Sequence, residues 1–340
     1  MARRPTSLDI AQLAGVSQPT VSRALRGVKS VNPQTRARIE AIARSLHYAV
    51  DKNASSLRSQ SSNTLALLFF EEAADDDAAI NPFFLSMLGS ITRACAKAGY
   101  DLLISFQQLS GDWHVDYQDS HKADGIILLG YGDYEAYRAR LDHLVEQGTH
   151  VVRWGAVGTG PAGITVGSDN RGGGAQATAH LIAQGRRRIA FLGSADSRYP
   201  ELEERYRGYL DALAAAGLVP DAALRVDATT AEEPGQAAVE TLAERGVAYD
   251  AIFAASDSIA IGAMRALAAA GRRVPDDVAI VGFDDIPSAS LTSPPLSSVV
   301  QDTRRAGEVL VDTLLAQLRG GTGEPAPLPT RLVVRASSKR

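Results

Sequence analysis

The chain has 340 residues, of which 45% are hydrophobic and 22% are charged. This length predicts two or three domains, and this composition excludes a protein that is disordered throughout. The apolar run at 65–70 is far shorter than the roughly 18 residues that a membrane span needs. Because Cys95 is the single cysteine, the chain can form neither an intrachain disulfide nor a zinc site built on cysteines.

The net charge of −4 conceals an uneven distribution along the chain. Residues 1–60 carry ten Lys and Arg against three Asp and Glu, so this segment is +7 and the remainder is −11. A basic segment on an acidic body predicts a polyanionic partner for that segment. Arg3 and Arg4 are followed by no apolar stretch, so we do not interpret them as a twin-arginine export signal and expect a cytoplasmic protein.

Helix-capping residues in the basic segment predict three short helices. A hydroxyl at Thr6 and a carboxylate at Asp9 have the spacing of a capping box, and the apolar helix that follows ends at Gly15. A second helix over 17–25 begins with a serine cap. A third helix over 33–46 begins with an Asn-Pro pair, which suits a cap followed by the first helical residue.

Helix, glycine turn, helix and a supporting third helix form the layout of a helix-turn-helix domain, whose second helix enters the major groove of DNA. Arg23 and Gln18 could read base edges through a guanidinium fork and an amide. Small hydroxyl or capping side chains suit phosphate contacts, which set register without reading sequence. The candidate DNA-binding residues here are Thr6, Ser17, Gln18, Pro19, Thr20, Ser22, Arg23, Arg26 and Thr35. The alternative is a helical bundle that is basic for other reasons.

Residues 6–25 resemble the N-terminal signature of the lac-repressor (LacI/GalR) family of bacterial transcription regulators. The resemblance continues through 31–36 and 46–48. It implies a helix-turn-helix DNA-binding domain over 1–48. Arg26 stands where the family usually has Asn, and this departure bears on the operator sequence rather than on the mode of binding.

Residues 49–62 are polar and rich in serine, which is typical of a linker. The segment 53–58 could form one or two helical turns, but so short a helix is unstable alone in water. The resemblance implies that this hinge becomes helical when paired across a dimer on operator DNA. It also implies that Ala54 and Leu57 contact the DNA, with Leu57 wedged into a minor-groove base step. The alternative for Leu57 is an ordinary linker leucine, and the usual proline after Tyr48 is absent, which would loosen the hinge.

After residue 62, short apolar runs alternate with helical stretches that often end at glycine. This alternation predicts an α/β fold with parallel sheets covered on both faces, in which ligands bind at the carboxyl ends of the strands. About ten such units favour two doubly wound lobes over one sheet. The predicted strands are 63–70, 100–106, 124–130, 150–155, 164–169, 188–193, 224–228, 251–255, 278–283 and 298–301, and the predicted helices are 83–98, 133–147, 173–184, 203–216, 233–245 and 258–270.

The family resemblance covers this body as well, through landmarks such as 81–84, 168–170, 282–285 and 294–299. It implies a core similar to periplasmic sugar-binding proteins, over 63–340, with two lobes joined by three crossovers and an effector between them. By that analogy, the first lobe is about 62–161 plus 294–324. The second lobe is about 162–293 plus 325–340.

The motifs that would indicate an enzyme are weak or missing. The GxGxxG at 158–163 contains a proline and precedes a β-run, so it predicts a loop rather than a dinucleotide site. The glycines at 172–174 are best explained by close helix packing, and the acidic run at 71–77 by a solvated loop. His180 is interpreted as a packed or surface residue, and the sequence shows neither an HExxH metal motif nor a GxSxG elbow. We therefore expect no enzymatic activity, no metal and no cofactor.

The resemblance also implies an effector site. Arg205 and Asp284 match family positions that contact the effector, and a guanidinium with a carboxylate suits the vicinal hydroxyls of a sugar. Trp154 could stack on a sugar ring, although an interlobe core role is as plausible. The weaker candidates are Phe83, Asp169, Thr230 and Ser256, of which Asp169 and Ser256 could equally cap the helices that follow them.

The sequence therefore predicts a nucleoid-associated transcription regulator, most simply a repressor that a small carbohydrate releases from DNA. Because no leucine heptad precedes the C-terminus, we expect a homodimer, and a two-fold dimer implies a pseudo-palindromic operator. The alternatives are a repressor that needs a purine-type co-repressor, an activator, a plain sugar-binding protein and a sugar-modifying enzyme.

Overall fold

A computed structural model describes residues 5–25, 27–28, 30–48, 61–70, 80–107, 112–130, 133–158 and 163–339. The chain divides into two compact units, residues 1–62 and residues 63–340. Arg26, Ala54 and Leu57, which the sequence assigns to DNA binding, lie outside the described residues. The acidic run at 71–77 and the centre of the GxGxxG motif also lie outside them.

The first unit contains three helices, α1 (Ser7–Ala14), α2 (Gln18–Leu25) and α3 (Pro33–Ser45). Both arms of the predicted capping box are present, since the Asp9 amide donates to the Thr6 hydroxyl and the Thr6 amide donates to the Asp9 carboxylate. Gly15 ends α1 with a φ of +62°, a left-handed conformation that suits glycine. The helices share one small core, formed by Ile10, Ala11, Ala14, Val21, Ala24, Val31, Ile39 and Ala43.

The second unit contains two β-sheets. The first is parallel, in the order β2-β1-β3-β4-β5, with β1 (Thr64–Phe70), β2 (Asp101–Gln107), β3 (Gly125–Leu129), β4 (Val151–Trp154) and β5 (Ile164–Val166). The second has the order β11-β10-β9-β8-β6-β7, with β6 (Ile189–Leu192), β7 (Arg225–Val226), β8 (Ala251–Ala254), β9 (Ala279–Asp284), β10 (Ser297–Gln301) and β11 (Thr330–Val333). Among the described strands of this second sheet, β11 alone runs antiparallel to its neighbour, and the other pairs are parallel. The first sheet with its helices is called the first lobe, and the second sheet with its helices the second lobe.

Seven α-helices are described in this unit, namely α4 (Pro82–Ala98), α5 (Tyr134–Glu146), α6 (Asn170–Ala183), α7 (Pro200–Ala215), α8 (Glu232–Glu244), α9 (Asp257–Ala269) and α10 (Thr303–Leu318). Short helical turns occur at His114–Asp119, Ala222–Leu224 and Pro287–Leu291. Helices α6 and α7 approach so closely that a Cβ on Gly174 would lie 2.2 Å from the Arg205 carbonyl oxygen. The glycines at 172–174 thus have the helix-packing environment that the sequence predicts.

The two sheets divide at different residues from the predicted lobe boundaries. Strand β5 pairs with β4 in the first sheet, although residue 162 was the expected start of the second lobe. Strand β10 pairs with β9 in the second sheet, although 294–324 was assigned to the first lobe. The reason is that the chain passes from the first lobe to the second after β5 and returns after β10. Within residues 294–324, α10 is therefore the part that packs on the first lobe, against α4, β3 and β4.

The strand β11 and the helix α10 were missing from the prediction. Strand β11 returns to the second sheet. The segment before β11 lies beside the connection that follows β5, since the Asp169 amide donates to the Leu328 carbonyl at 2.8 Å. Within the described ranges, no helix has the length and apolar character needed to cross a membrane. The same part of the chain brings together no group of three or more metal-ligating side chains.

Candidate functional site

The outward face of α2 carries the predicted base-reading residues. Val21 and Ala24 are buried in the core of the first unit, whereas Gln18 and Arg23 are exposed. The Gln18 amide donates to the Ser7 hydroxyl at 2.9 Å, which ties the start of α2 to α1. Of the remaining candidates, Ser17 and Pro19 are exposed, and Thr6, Thr20, Ser22 and Thr35 are partly buried.

Several of the predicted phosphate-contacting hydroxyls already make local hydrogen bonds. The Thr6 hydroxyl donates to the Asp9 carboxylate at 2.7 Å, and the Ser17 and Thr20 hydroxyls lie 2.9 Å apart. These bonds join side chains across the first turns of α1 and α2. Contact of these side chains with phosphate stays a prediction.

In the second unit, the structure brings Arg205 and Asp284 together, although 79 positions separate them in the chain. The Arg205 Nη1 lies 3.5 Å from the Asp284 Oδ1, and the two side chains are 0% and 1% exposed. Asp284 ends β9, and Arg205 lies on α7, which follows β6. The pair therefore lies beside the carboxyl ends of parallel strands, where α/β sheets bind ligands.

Neighbouring groups satisfy this buried pair. Arg205 donates from Nε to the Asn170 side-chain oxygen at 2.9 Å and from Nη1 to the Ala255 carbonyl at 2.5 Å. Its guanidinium carbon lies 3.8 Å from the centre of the Phe283 ring, a cation–π contact. The Gln301 amide donates to Asp284 at 2.7 Å. A ligand that reaches these charges must replace bonds that they make to the protein.

Asp284 is under conformational and electrostatic strain. Its φ of +109° is unusual for a residue other than glycine and costs about 1–3 kcal/mol, as is often found at functional sites. Burial raises the pKa of Asp284 to about 6, against the opposing effects of Arg205 and Gln301. Burial also raises the pKa of Asp257, and the nearby Asp284 adds to that shift. Asp257 accepts hydrogen bonds from the Ser298 hydroxyl at 2.6 Å and the Ile286 amide at 2.8 Å.

The two aromatic candidates lie together in the first lobe. Phe83 is the second residue of α4 and Trp154 ends β4, and their ring centres are 5.9 Å apart. Both are buried, at 1% and 4% exposure, and both belong to the main hydrophobic core. A stacking role for Trp154 therefore requires a change in its surroundings.

The remaining candidates occupy helix starts and a turn. Asp169 accepts from the Gly172 amide at 2.8 Å at the start of α6, and Ser256 accepts from the Ile259 amide at 3.3 Å at the start of α9. These bonds are those of helix caps, the alternative that the sequence left open. Thr230 is partly buried in the turn between β7 and α8.

Comparison with known proteins links both units to one group of regulators. Residues 6–51 match the lacI family of bacterial regulatory proteins, and residues 178–338 match the periplasmic binding protein-like domain. The HTH-type transcriptional regulator CelR of Thermobifida fusca is 35% identical, with 98% of each chain covered. The chain belongs to the LacI family. It is therefore a DNA-binding transcription regulator.

Two solved structures extend the similarity of this LacI-family protein to its fold. A complex of the transcriptional regulator CelR with cellobiose has 33% identity and a TM-score of 0.72, and covers 98% of this chain and 100% of that one. The lac repressor dimer bound to operator and the anti-inducer ONPF has 25% identity and a TM-score of 0.83, with 99% and 100% covered. The two-lobed α/β core with an N-terminal helix-turn-helix domain is thus the fold of the family.

The sequence prediction missed a buried charge that joins the two lobes of this LacI-family protein. Glu201, in the first turn of α7, accepts from the Ala156 amide of the first lobe at 3.1 Å. Burial raises the pKa of Glu201, while Arg153 and Arg205 oppose the shift. Arg153 also stacks over the Tyr134 ring, 4.8 Å from its centre. A glutamate in the first turn of a helix resembles an ordinary solvated residue in sequence, so no local signal distinguished it.

Proposed function

We propose that this regulator is a repressor that leaves its operator when a small carbohydrate binds between the two lobes. The observation that carries the proposal is the buried Arg205–Asp284 pair at the strand ends. A carboxylate accepts hydrogen bonds from sugar hydroxyls, and a guanidinium donates two or more in a fixed geometry. The solved complex of the related CelR with cellobiose supports a sugar as the class of effector.

The DNA-binding half of the proposal places α2 in the major groove. The exposed Arg23 suits bidentate contact with guanine, and Gln18 suits adenine. We propose that two copies bind a pseudo-palindromic operator, since two-fold symmetry in the protein requires matching half-sites. The lac repressor, which shares the fold, is solved as a dimer on its operator. The hinge residues Ala54 and Leu57 stay candidate DNA contacts.

The two halves are coupled through the arrangement of the lobes. An effector lowers operator affinity only if it binds one arrangement better than the other. Because the hydrogen bond from Ala156 to Glu201 joins the lobes, its length depends on how closely they approach. In this scheme, sugar binding favours an arrangement that separates the hinges of the dimer, and the operator is released.

A titration of operator affinity with and without sugars tests the proposal. The operator is first selected from random duplexes with the full-length protein, and binding is measured at fixed salt. We expect Arg23→Ala to weaken operator binding by about 1–3 kcal/mol while sparing unrelated duplexes. Arg38→Ala, which removes another exposed arginine, serves as the matched control on α3.

In the same titration, Asp284→Asn keeps nearly the same volume and should preserve operator affinity while removing release by sugar. Release of Asp284→Asn at the wild-type sugar concentration would exclude Asp284 from the effector site. A small molecule that raises operator affinity would instead assign co-repression. If Arg23→Ala weakened operator and unrelated DNA equally, Arg23 would be a phosphate contact and not a base reader.

A further inference from the structure

A cavity lies in the second lobe, and its lining does not include Arg205 or Asp284. Its volume is ≈ 400 Å³, which lies within the range of small-molecule sites. We call it the outer cavity. It is lined by Ser194, Arg198, Tyr199, Val226, Asp227, Ala228, Thr229, Pro234, Ala237, Ala238 and Thr241.

The outer cavity shares the ligand-binding edge of the sheet with the Arg205–Asp284 pair. Asp284 ends β9, whereas the outer cavity lies at the ends of β6 and β7, and the strand order is β9-β8-β6-β7. Neighbouring strands are about 4.8 Å apart, so β7 lies roughly 14 Å from β9. A single sugar ring at Asp284 does not span that distance.

Two connections join the cavity to the pair. Ser194 lines the cavity and directly follows Gly193. Gly193 packs closely against Ala255, since a Cβ on Gly193 would lie 2.4 Å from the Ala255 Cβ. Ala255 is the residue whose carbonyl accepts from Arg205. Tyr199, also a lining residue, immediately precedes α7, the helix that carries Arg205. The residues that line the outer cavity are therefore joined directly to the residues that hold Arg205.

The lining of the outer cavity suits a neutral ligand. The Arg198 guanidinium donates to Asp196 at 2.7 Å, and the Asp227 carboxylate has Arg225 at 4.0 Å. Because each charged lining residue has a partner of opposite sign, an anionic ligand finds little net attraction. Phosphorylated sugars and nucleotides are therefore disfavoured.

The same lining combines hydroxyl groups with small apolar surfaces. Thr229 contributes a hydroxyl, and the Ser194 and Thr241 hydroxyls, which bond to Asp196 and to the Ala237 carbonyl, contribute oxygens that can accept. Pro234 and Ala237 contribute apolar surface on α8. A sugar ring has the complementary pattern, since its hydroxyls point outward around an apolar carbon–hydrogen face. The small side chains on α8 leave the space that a ring occupies.

We propose that the outer cavity is a second sugar subsite and that the effector is a neutral oligosaccharide of at least two rings. One ring contacts Arg205 and Asp284, and a further ring enters the outer cavity past Ser194 and Tyr199. This inference rests on the proposed function, because it extends the same effector. In this proposal, α8 and the turn after β7 determine how many sugar rings the effector has.

The test uses the full-length protein and sugars of increasing length. The probes are glucose, cellobiose and cellotriose; xylose, xylobiose and xylotriose; and mannose, mannobiose and mannotriose. Affinity is measured by calorimetry, and release is measured on operator DNA. The variant Ala237→Phe fills the outer cavity from an exposed helix position. Ala243→Phe, an exposed position on the same helix that does not line the cavity, is the matched control.

We expect one series to bind at least tenfold tighter with two or three rings than with one. Ala237→Phe should remove that gain and leave single-ring affinity unchanged, while Ala243→Phe keeps the gain. Equal affinity for one and several rings, or equal behaviour of the two variants, would overturn the outer subsite and leave the proposed function intact. If no sugar binds or releases the operator, the proposed carbohydrate effector fails, and the subsite fails with it.

Discussion

The two lobes have the same architecture but bury different chemistry. In the first lobe, the buried residues around β1 and β3 are almost all apolar, with Arg153 as a charged exception among the described residues. The second lobe buries Arg205, Asp257 and Asp284, of which Arg205 and Asp284 form a pair and Asp257 is close enough for Asp284 to raise its pKa. The comparison teaches that this α/β framework can fold around an almost wholly apolar interior, so the architecture alone does not require the charged cluster of the second lobe, and we propose that the cluster serves binding.

The largest expected effect comes from breaking the charged group of the second lobe. Asp284→Ala leaves the buried Arg205 guanidinium and the Gln301 amide without the carboxyl that they face. This should lower the free energy of unfolding by about 3–5 kcal/mol at pH 5, below the pKa at which the stabilising contribution of Asp284 is lost. Chemical denaturation measures this loss. The matched variant Asp302→Ala removes an exposed carboxylate that caps the start of α10. It should lower the free energy of unfolding by about 1 kcal/mol. Equal losses for the two variants would contradict the idea that the second lobe depends on its buried pair.

A second expected effect is a pH dependence that belongs to the second lobe. Because the folded-state pKa of Asp284 is raised to about 6 from its ordinary 3.8, the folded protein binds a proton more tightly than the unfolded chain does. Its contribution to stability is therefore fully present below pH 4 and is lost as the pH rises through 6, by about 3 kcal/mol.

Denaturation of wild type and Asp284→Asn between pH 4 and pH 7 checks this dependence. The wild-type free energy of unfolding should fall relative to that of Asp284→Asn as the pH rises. Asp284 also helps to raise the pKa of Asp257, so the comparison includes the effect of the substitution on that second buried carboxyl. Parallel curves for the two proteins would show that Asp284 is ionised throughout this range and that its burial has little effect.

The smallest expected effect concerns a feature that both lobes share. A Cβ on Gly174 would lie 2.2 Å from the Arg205 carbonyl in the second lobe, and a Cβ on Gly307 would lie 2.6 Å from the Ser90 Cβ in the first. Alanine at either position should destabilise the protein by about 1–3 kcal/mol. Gly89→Ala, whose nearest neighbour atom is 3.8 Å away, should instead stabilise its helix slightly. Thermal or chemical unfolding of the three variants makes the comparison, and a neutral Gly174→Ala would show that α6 and α7 can separate at little cost.

Local signals in the sequence were sufficient for the helices of the first unit. The capping box at Thr6, the glycine that ends α1 and the Asn-Pro start of α3 each act within a few residues, and all three are found in the structure. The alternation of apolar runs with helices likewise predicted the first ten strands. Strand β11 was missed because it is short, half-buried and contains Arg331, so its sequence lacks a continuous apolar run.

Long-range relations were beyond local patterns. The sequence showed that 298–301 forms a strand, but only hydrogen bonding to β9 decides which sheet it joins. Arg205 and Asp284 were paired by family resemblance and not by spacing. Glu201 escaped notice because its burial depends on Ala156 of the other lobe, and the outer cavity depends on small residues that are common on any helix.

The late crossovers of the chain have a consequence for synthesis. The first lobe needs α10, because Leu314 of this helix packs on β3 so closely that a Cβ on Gly125 would lie 2.8 Å from the Leu314 side chain. The second lobe needs β10 and β11, which belong to its sheet. Neither lobe is a continuous stretch of polypeptide, so the first is incomplete until α10 has left the ribosome and the second until β11 has. Until then, the apolar face of the first sheet that α10 covers and the unpaired edge of β9 need protection from other nascent chains.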